Sequence, residues 1–254
     1  MSDIKTFPVW KPIVIGLLAG LLAGLFGIGG GFIMVPLFVL WLGMQQKRAH
    51  ATSLLAVAFI AIAALSGYAN FGKIEWSAAL LVSCGAVVGI FLGVRLLTKI
   101  SEQLLSYVFA FVLLCVAVRL IWSATPHQIF SGVLAQVLLV VIGFFSGALA
   151  GLLGVGGGIV IIPALIVCSG MDAGVARGTS LVVIVVSALV GAALHHRLGT
   201  IDHRIAVFSG IAGIPSAVLG AYIGAHTSND TLITMFCLLL IVLAGQLVFS
   251  KRGQ

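Results

Sequence analysis

The sequence predicts an all-α polytopic membrane protein composed of two homologous repeats. Of its 254 residues, 61% are hydrophobic and only 7% are charged, whereas soluble globular chains carry about 25% charged residues. The apolar residues fall into eight stretches whose short separating segments hold nearly all of the charge. A spanning helix needs about 20 apolar residues. The composition therefore excludes a soluble domain, a disordered chain and a nucleic-acid-binding domain.

The apolar stretches divide one integral membrane domain into two halves, residues 1–127 and 128–254. The first and fifth stretches are too long for a single span, and glycines interrupt both. We therefore expect a glycine-broken re-entrant or half-helix element followed by three transmembrane helices in each half. The stretches cover residues 13–42, 51–71, 77–98 and 104–123 in the first half, and 132–169, 175–194, 205–225 and 231–249 in the second.

An internal repeat supports this division. Shifting the sequence by 127 residues aligns residues 20–75 with 147–202 without a gap, and gives 19 identities in 56 positions. The glycine triplets Gly29–Gly31 and Gly156–Gly158 coincide in this alignment. A fixed repeat determines the architecture, because each copy forms the same structural unit. The chain is therefore expected to be a duplicated four-segment unit.

The distribution of Lys and Arg favours broken elements that double back. If each element turns at its glycines, ten of the 13 basic residues lie on the cytoplasmic side with both termini; if each crosses, eight do. The positive-inside rule favours the first arrangement, as do half-segments of about 14 and 11 residues, which are too short to span. Each half then crosses an odd number of times, so the halves are expected to be inverted. Inverted repeats with interrupted helices are typical of secondary transporters.

The glycine triplets are candidate anion-binding elements. Consecutive glycines can adopt positive φ angles that aim several N–H groups at one point, and non-helical backbone at membrane depth must line protein or a water-filled cavity. Glycines at four-residue spacing indicate close helix packing instead. We expect anion sites at Gly29, Gly30, Gly31, Gly156, Gly157 and Gly158, and packing at Gly20, Gly24, Gly89 and Gly93. The latter two match Gly220 and Gly224 after a four-residue insertion.

Two polar motifs open the apolar helices that follow the broken elements. Their hydroxyls can cap the helix, or can bind an anion together with the helix N-terminus; both interpretations stay open. In the inverted topology, His50 and Arg177 are expected at opposite mouths of the path. Asn70 and His195 lie at the far ends of the same helices, where His195 is either a proton relay or an ordinary interfacial histidine. The motif hydroxyls are those of Thr52, Ser53, Thr179 and Ser180.

The positions of the acidic residues favour an anionic substrate. All six lie in the terminus or in loops between the apolar stretches, whereas cation pumps and many proton-coupled carriers need a carboxylate inside the membrane. No triad of nucleophile, base and acid and no metal-ligand cluster occurs at usable spacing. We therefore expect no enzyme activity, no cofactor and no metal site.

The repeated motifs resemble those of the sulfite exporter TauE/SafE family. The resemblance rests on the duplicated glycine-rich element, on the proline five residues after each triplet (Pro36 and Pro163), and on the Ala-x-x-Thr-Ser-Leu that follows from Ala49 and from Ala176. It implies a multi-pass permease of the bacterial inner membrane that moves sulfite, sulfoacetate or other sulfonates, usually outward. His50 stands where the second half has Arg177, so the two copies need not act equally.

The leading hypothesis is an alternating-access carrier for a small sulfur-containing anion. Its expected partners are that anion and the lipid bilayer, with no nucleic acid, and a homodimer is left open. An anion channel of similar build is one alternative. A membrane assembly or scaffold protein, whose glycines serve only to pack helices, is another.

Overall fold

The computed structural model describes residues 8–99 and 132–228, together with the isolated positions 101, 104, 107, 111, 231, 232, 234, 235 and 238. The predicted spans at 104–123 and 231–249 lie largely outside these residues. Over the described residues the chain is helical and contains no strand. Its helices are α1 (Trp10–Phe26), α2 (Gly31–Leu42), α3 (Gln46–Asn70), α4 (Trp76–Lys99), α5 (Val133–Leu153), α6 (Gly158–Ser169), α7 (Ala173–Arg197) and α8 (His203–His226).

Five of these helices are long and apolar enough to cross a membrane, namely α3, α4, α5, α7 and α8. The all-helical membrane fold predicted from composition is therefore confirmed. Since their apolar side chains face outward as well as inward, with Leu80 and Ile211 more than half exposed, lipid rather than water is the solvent that suits this surface.

Helices α1 and α2 form a tight helical hairpin around the first glycine cluster. Gly27 and Gly30 adopt left-handed conformations with φ angles of 70° and 75°, so the helix ends and the chain reverses. A Cβ atom on Gly30 would lie 2.6 Å from the carbonyl oxygen of Ala19. At the open end of the hairpin, Lys11 Nζ donates to the carbonyl oxygen of Trp41 at 3.3 Å. The end of α2 thus returns to the start of α1, which is the doubled-back arrangement.

Helices α5 and α6 meet at an equivalent turn. Gly154 and Gly157 have φ angles of 67° and 80°, and a Cβ atom on Gly157 would lie 2.8 Å from the carbonyl oxygen of Ser146. The helix before each turn is longer than expected, with 17 residues in α1 and 21 in α5. The apolar run before Gly154 has no earlier interruption. Of the four helices that flank the two glycine breaks, only α5 is therefore long enough to cross a membrane.

The two halves are interlocked through glycine-lined helix pairs. Helix α1 packs on α8 and α5 packs on α4, so the first helix of each half contacts the last described helix of the other. Gly20 approaches the backbone of Gly213, and Gly24 approaches that of Ala217. Both partners advance by four residues together, which shows that α1 and α8 run parallel. The close approach confirms that these glycines serve helix packing, as small residues do in membranes.

The contacts of α4 and α5 repeat those of α8 and α1 at an offset of 127 residues. Gly93 approaches the carbonyl oxygen of Ala148, and Gly220 approaches that of Leu21. Gly93 therefore corresponds to Gly220, and the four-residue insertion expected from the sequence, which matched it with Gly224, is wrong. The sequence alignment paired glycines because they are identical residues. The structural correspondence of α4 and α8 is instead given by the backbone atoms that each glycine contacts.

Adding a methyl group at Gly20 is expected to destabilise the protein. A Cβ atom there would overlap the carbonyl oxygen of Gly213 and the Ser216 hydroxyl, and overpacking of this kind costs about 1–3 kcal/mol. Gly20→Ala should therefore lower the thermal unfolding midpoint in detergent. Ala193→Val, which adds bulk on the exposed face of α7, is the control and should leave the midpoint unchanged. Equal midpoints for wild type and Gly20→Ala would contradict the packing described.

Candidate functional site

The two glycine breaks meet at the centre of the described structure. A Cβ atom on Gly31 would lie 2.5 Å from the carbonyl oxygen of Gly154, and one on Gly158 would lie 2.8 Å from the Cα atom of Ile28. All residues from 27 to 31 and from 154 to 158 are buried. Two interruptions that are 127 residues apart in sequence therefore share one central region. We call this region, formed by residues 27–31 and 154–158, the paired break.

Two aliphatic side chains from the long central helices cover the middle of the paired break. Val57 of α3 and Ile184 of α7 are fully buried, and both lie next to the positions that Cβ atoms on Gly29 and Gly156 would take. Val57 and Ile184 are themselves equivalent at the 127-residue offset. Each aliphatic side chain thus contacts both breaks, which fits an approximate two-fold relation between the halves at this point.

Several backbone N–H groups of the paired break have no acceptor within the described chain. At the first break, the N–H of Gly27 bonds to Ala23, and those of Ile33 and Met34 bond to Gly30. None of these bonds uses the N–H of the triplet Gly29–Gly31, and the same holds for Gly156–Gly158. Buried N–H groups are nearly always paired. These N–H groups are therefore donors from which an anion could accept hydrogen bonds.

Serines from α3 and α7 bind the carbonyl oxygens that the breaks leave free. Ser53 Oγ donates to the carbonyl oxygen of Gly154 at 2.7 Å, and Ser180 Oγ donates to that of Gly27 at 2.6 Å. The last carbonyls of a helix need such partners because the helix does not continue. Each serine comes from one half and bonds the break of the other. Both hydroxyl protons are therefore occupied by backbone carbonyls rather than available to a ligand.

The two threonines bind loops and not the paired break. Thr52 Oγ1 accepts from the N–H of Asp202 at 3.0 Å, and Thr179 Oγ1 accepts from the N–H of Glu75 at 2.9 Å. Both lie well inside their helices, because α3 begins at Gln46 and α7 begins at Ala173. The expectation that these motifs open the helices, and that their hydroxyls cap them, is therefore wrong. The cap of α7 is Asp172, whose side chain accepts from the N–H of Gly174.

Arg177 and Tyr68 surround the end of α1. The Arg177 side chain is only 4% exposed, and its Nη1 donates to the carbonyl oxygen of Gly224 at 3.1 Å. Tyr68 donates its hydroxyl proton to the carbonyl oxygen of Gly24 at 3.0 Å. A Cβ atom on Gly27 would lie 2.7 Å from that of Arg177. The base of the Arg177 side chain thus lies beside the first break, and its charged guanidinium lies at Gly224 of α8.

His50 and His195 occupy the corresponding positions at the end of α5. His50 is fully buried and its Nδ1 bonds the carbonyl oxygen of Leu153. His195 is 1% exposed, and its Nδ1 lies 3.0 Å from Thr200 Oγ1. The sequence placed His50 and Arg177 at open mouths, whereas the structure buries both because their polar atoms bind backbone carbonyls near the helix ends.

The structure thus gathers most of the candidate residues but separates the others. The six triplet glycines, both serines, His50, Arg177 and His195 lie at or beside the paired break. Asn70 is exposed at the end of α3, and the two threonines lie at the loops. Sequence analysis missed the roles of Tyr68, Val57 and Ile184. The 127-residue offset could have found Tyr68, because it aligns with His195.

Comparison with known proteins identifies the relatives of this chain. The family model described as "Sulfite exporter TauE/SafE" matches residues 2–120 and 139–254. A probable membrane transporter protein, YunE of Bacillus subtilis, is 24% identical over 94% of this chain and 96% of its own length. YdhB of the same organism is 27% identical over 85% and 89%, and a probable membrane transporter protein of Methanocaldococcus jannaschii is 31% identical over 60% of each chain. No solved structure matches.

The serine bonds to the paired break are expected to contribute measurably to stability. Removing one hydroxyl leaves a buried carbonyl without a partner, which costs about 1–3 kcal/mol. Ser53→Ala and Ser180→Ala should each lower the thermal unfolding midpoint. Ser66→Ala is the matched control, because Ser66 Oγ bonds only Ala63 of its own helix. A drop for Ser66→Ala as large as for the other two would argue against a special role of the break.

Proposed function

The chain belongs to the sulfite exporter TauE/SafE family, and from this premise we propose that it is a secondary transporter that exports sulfite or a small organic sulfonate from the cell. The relatives in the comparison are named as probable membrane transporters, and the helical membrane fold suits that role. The finer proposal, a sulfur oxyanion bound at the paired break, is supported by the local geometry. Its principal support is that two glycine breaks, whose triplet N–H groups take no part in the surrounding backbone hydrogen bonds, meet beside the buried Arg177.

The charges around the paired break favour an anion over a cation. Arg177 is buried beside the first break, and His50 and His195 are buried beside the second. Among the described residues, no carboxylate is buried. Backbone N–H groups and a guanidinium are the donors that oxyanions accept. A sulfite or sulfonate group, with three oxygen acceptors, suits a site with N–H donors on two separate breaks.

The aliphatic cover over the paired break suits a carrier that closes around its substrate. Val57 and Ile184 contact both breaks, so an anion that reaches the N–H groups must displace them. We propose that α3 and α7 shift relative to the two hairpins and expose the site to one side at a time. The glycine-lined contacts of α1 with α8 and of α5 with α4 are smooth surfaces on which such a shift has little steric resistance. This is alternating access between two repeats.

A side chain at Gly30 is expected to abolish anion flux. Gly30 lies at the turn with a φ angle of 75°, and a Cβ atom there would press on Ala19 and disturb the orientation of the neighbouring N–H groups. Gly30→Ala should insert into the membrane but fail to move sulfite in reconstituted vesicles.

Gly43→Ala is the matched control for this variant. Gly43 has a similar φ angle of 61°, but no atom lies within 4 Å of its Cβ position. It carries the same backbone strain away from the site, so its flux should equal that of wild type. Flux of Gly30→Ala at the wild-type level would contradict the proposed site.

Loss of the Arg177 charge is expected to weaken anion binding. Hydrogen bonds to charged groups contribute about 1.5–3 kcal/mol, so Arg177→Gln should raise the Kd for sulfite or sulfoacetate by about 10- to 100-fold. Binding can be followed as the ligand-induced shift of Tm. Arg197→Gln, at an exposed position on the same helix, should keep the wild-type Kd. Equal affinities for both variants would contradict a role of Arg177 in binding.

A further inference from the structure

Two buried imidazole nitrogens have no partner in the described structure. Nε2 of His50 and Nε2 of His195 are both inaccessible and make no hydrogen bond. Buried polar atoms without a partner are rare and need an explanation. At the 127-residue offset they match Arg177 and Tyr68, whose polar atoms both lie at Gly224 of α8. Both histidines also lie beside the end of α5, where the proposed anion site begins.

The hydrogen bonds on the other ring nitrogen fix the tautomer of both histidines. A carbonyl oxygen can only accept, so the bond from His50 to Leu153 requires a proton on Nδ1. The Thr200 hydroxyl donates its proton to the backbone carbonyl of His195, so its oxygen must accept from Nδ1 of His195. In each neutral ring Nε2 is therefore a bare lone pair. Each Nε2 can take up one proton and then donate a hydrogen bond.

The equivalent positions of the other half carry a fixed charge. At the 127-residue offset, His50 corresponds to Arg177 and His195 corresponds to Tyr68. Arg177 Nη1 donates to the carbonyl oxygen of Gly224, and the Tyr68 hydroxyl lies 2.8 Å from the Cβ position of the same residue. One end of the paired break therefore has a guanidinium that stays charged at every physiological pH. The other end has two imidazoles, each of which is neutral without a bound proton and positive with one.

We propose that His50 and His195 form a proton-binding site that couples proton movement to anion movement. The inference rests on the proposed transport function and adds its coupling ion. One proton shared between the two rings adds a second positive charge beside the paired break, which strengthens anion binding. Linkage requires that the bound anion strengthens proton binding by the same factor. Two protons are excluded at this site because neighbouring imidazolium ions repel each other.

Other charged and titratable groups on the packed elements are more exposed than this pair. On α3 and α4 these are Lys47, Arg48 and Arg95, and at the end of α7 they are His196 and Arg197. Asp202 uses its carboxylate to cap α8 through the N–H of Ile205, and His203 and Arg204 of α8 are exposed. Within the described residues, the buried titratable groups near the paired break are therefore His50, His195, Arg177 and Tyr68.

The test measures protons and anions together. The full-length protein is reconstituted into vesicles that contain a pH-sensitive dye, with methanesulfonate as the probe, because its own charge does not change between about pH 5 and 8. The wild type should move about one proton with each anion, and its flux should depend on pH. His50→Arg combined with His195→Tyr installs the residues of the other half. This double variant should move anions without protons, and its flux should not depend on pH.

Control variants separate this pair from the exposed histidines. His196 and His203 bond each other at 3.1 Å at the surface, and His196→Gln and His203→Gln should keep the wild-type proton-to-anion ratio. If the double variant does not fold, His50→Gln and His195→Gln serve singly, and each should lower the ratio. An unchanged ratio in these variants overturns the proposal. If the wild type moves the anion without protons, the proton-coupling proposal is overturned, but the proposed transport function is supported. A wild type that moves no anion at any pH overturns both.

Discussion

The structure depends on how two interrupted helices satisfy their backbone polar groups in an apolar environment. Where α1 and α5 end, carbonyl oxygens lose their helical partners, and neither lipid nor aliphatic side chains can replace them. Ser180 bonds the end of α1, and Ser53 bonds the end of α5. Each serine belongs to the opposite half. The breaks therefore exist only because the two halves are assembled around each other, and this assembly fixes the position of every other residue at the site.

This arrangement separates acceptors from donors. At each break a serine hydroxyl bonds a carbonyl oxygen of the helix end, whereas the N–H groups of the glycine triplets take no part in the surrounding backbone hydrogen bonds. The guanidinium of Arg177 adds positive charge at Gly224 of α8. At each break the C-terminus of one helix has a capped carbonyl, and the N-terminus of the next helix presents N–H groups. A helix N-terminus of this kind is suited to bind a negative ligand. The same carbonyl bonds that stabilise the fold therefore produce the electrostatic preference of the proposed site.

The two ends of the paired break differ in their side chains, although the helix packing around them is equivalent. The packing positions share their geometry, as Gly93 and Gly220 show by their equivalent backbone contacts. The side chains that reach the helix ends differ, with Arg177 and Tyr68 on one side and His50 and His195 on the other. Arg177 and His50 each bond a backbone carbonyl near a helix end, that of Gly224 and that of Leu153. Either pair of side chains can therefore occupy the helix ends. The difference in charge between the two pairs can then act on the bound anion.

The sequence by itself determined the membrane class and the places where glycines interrupt two helices. Those features are local, because composition, spacing and the conformational freedom of glycine act within a single segment of chain. The tertiary structure decided which halves exchange helices, which hydroxyls bind the breaks and which bind loops, and that Val57 and Ile184 cover the centre. His50 and Thr52 are two residues apart, yet one reaches α5 and the other reaches the loop before α8. Such partners come from the other half of the chain, so no local pattern can specify them.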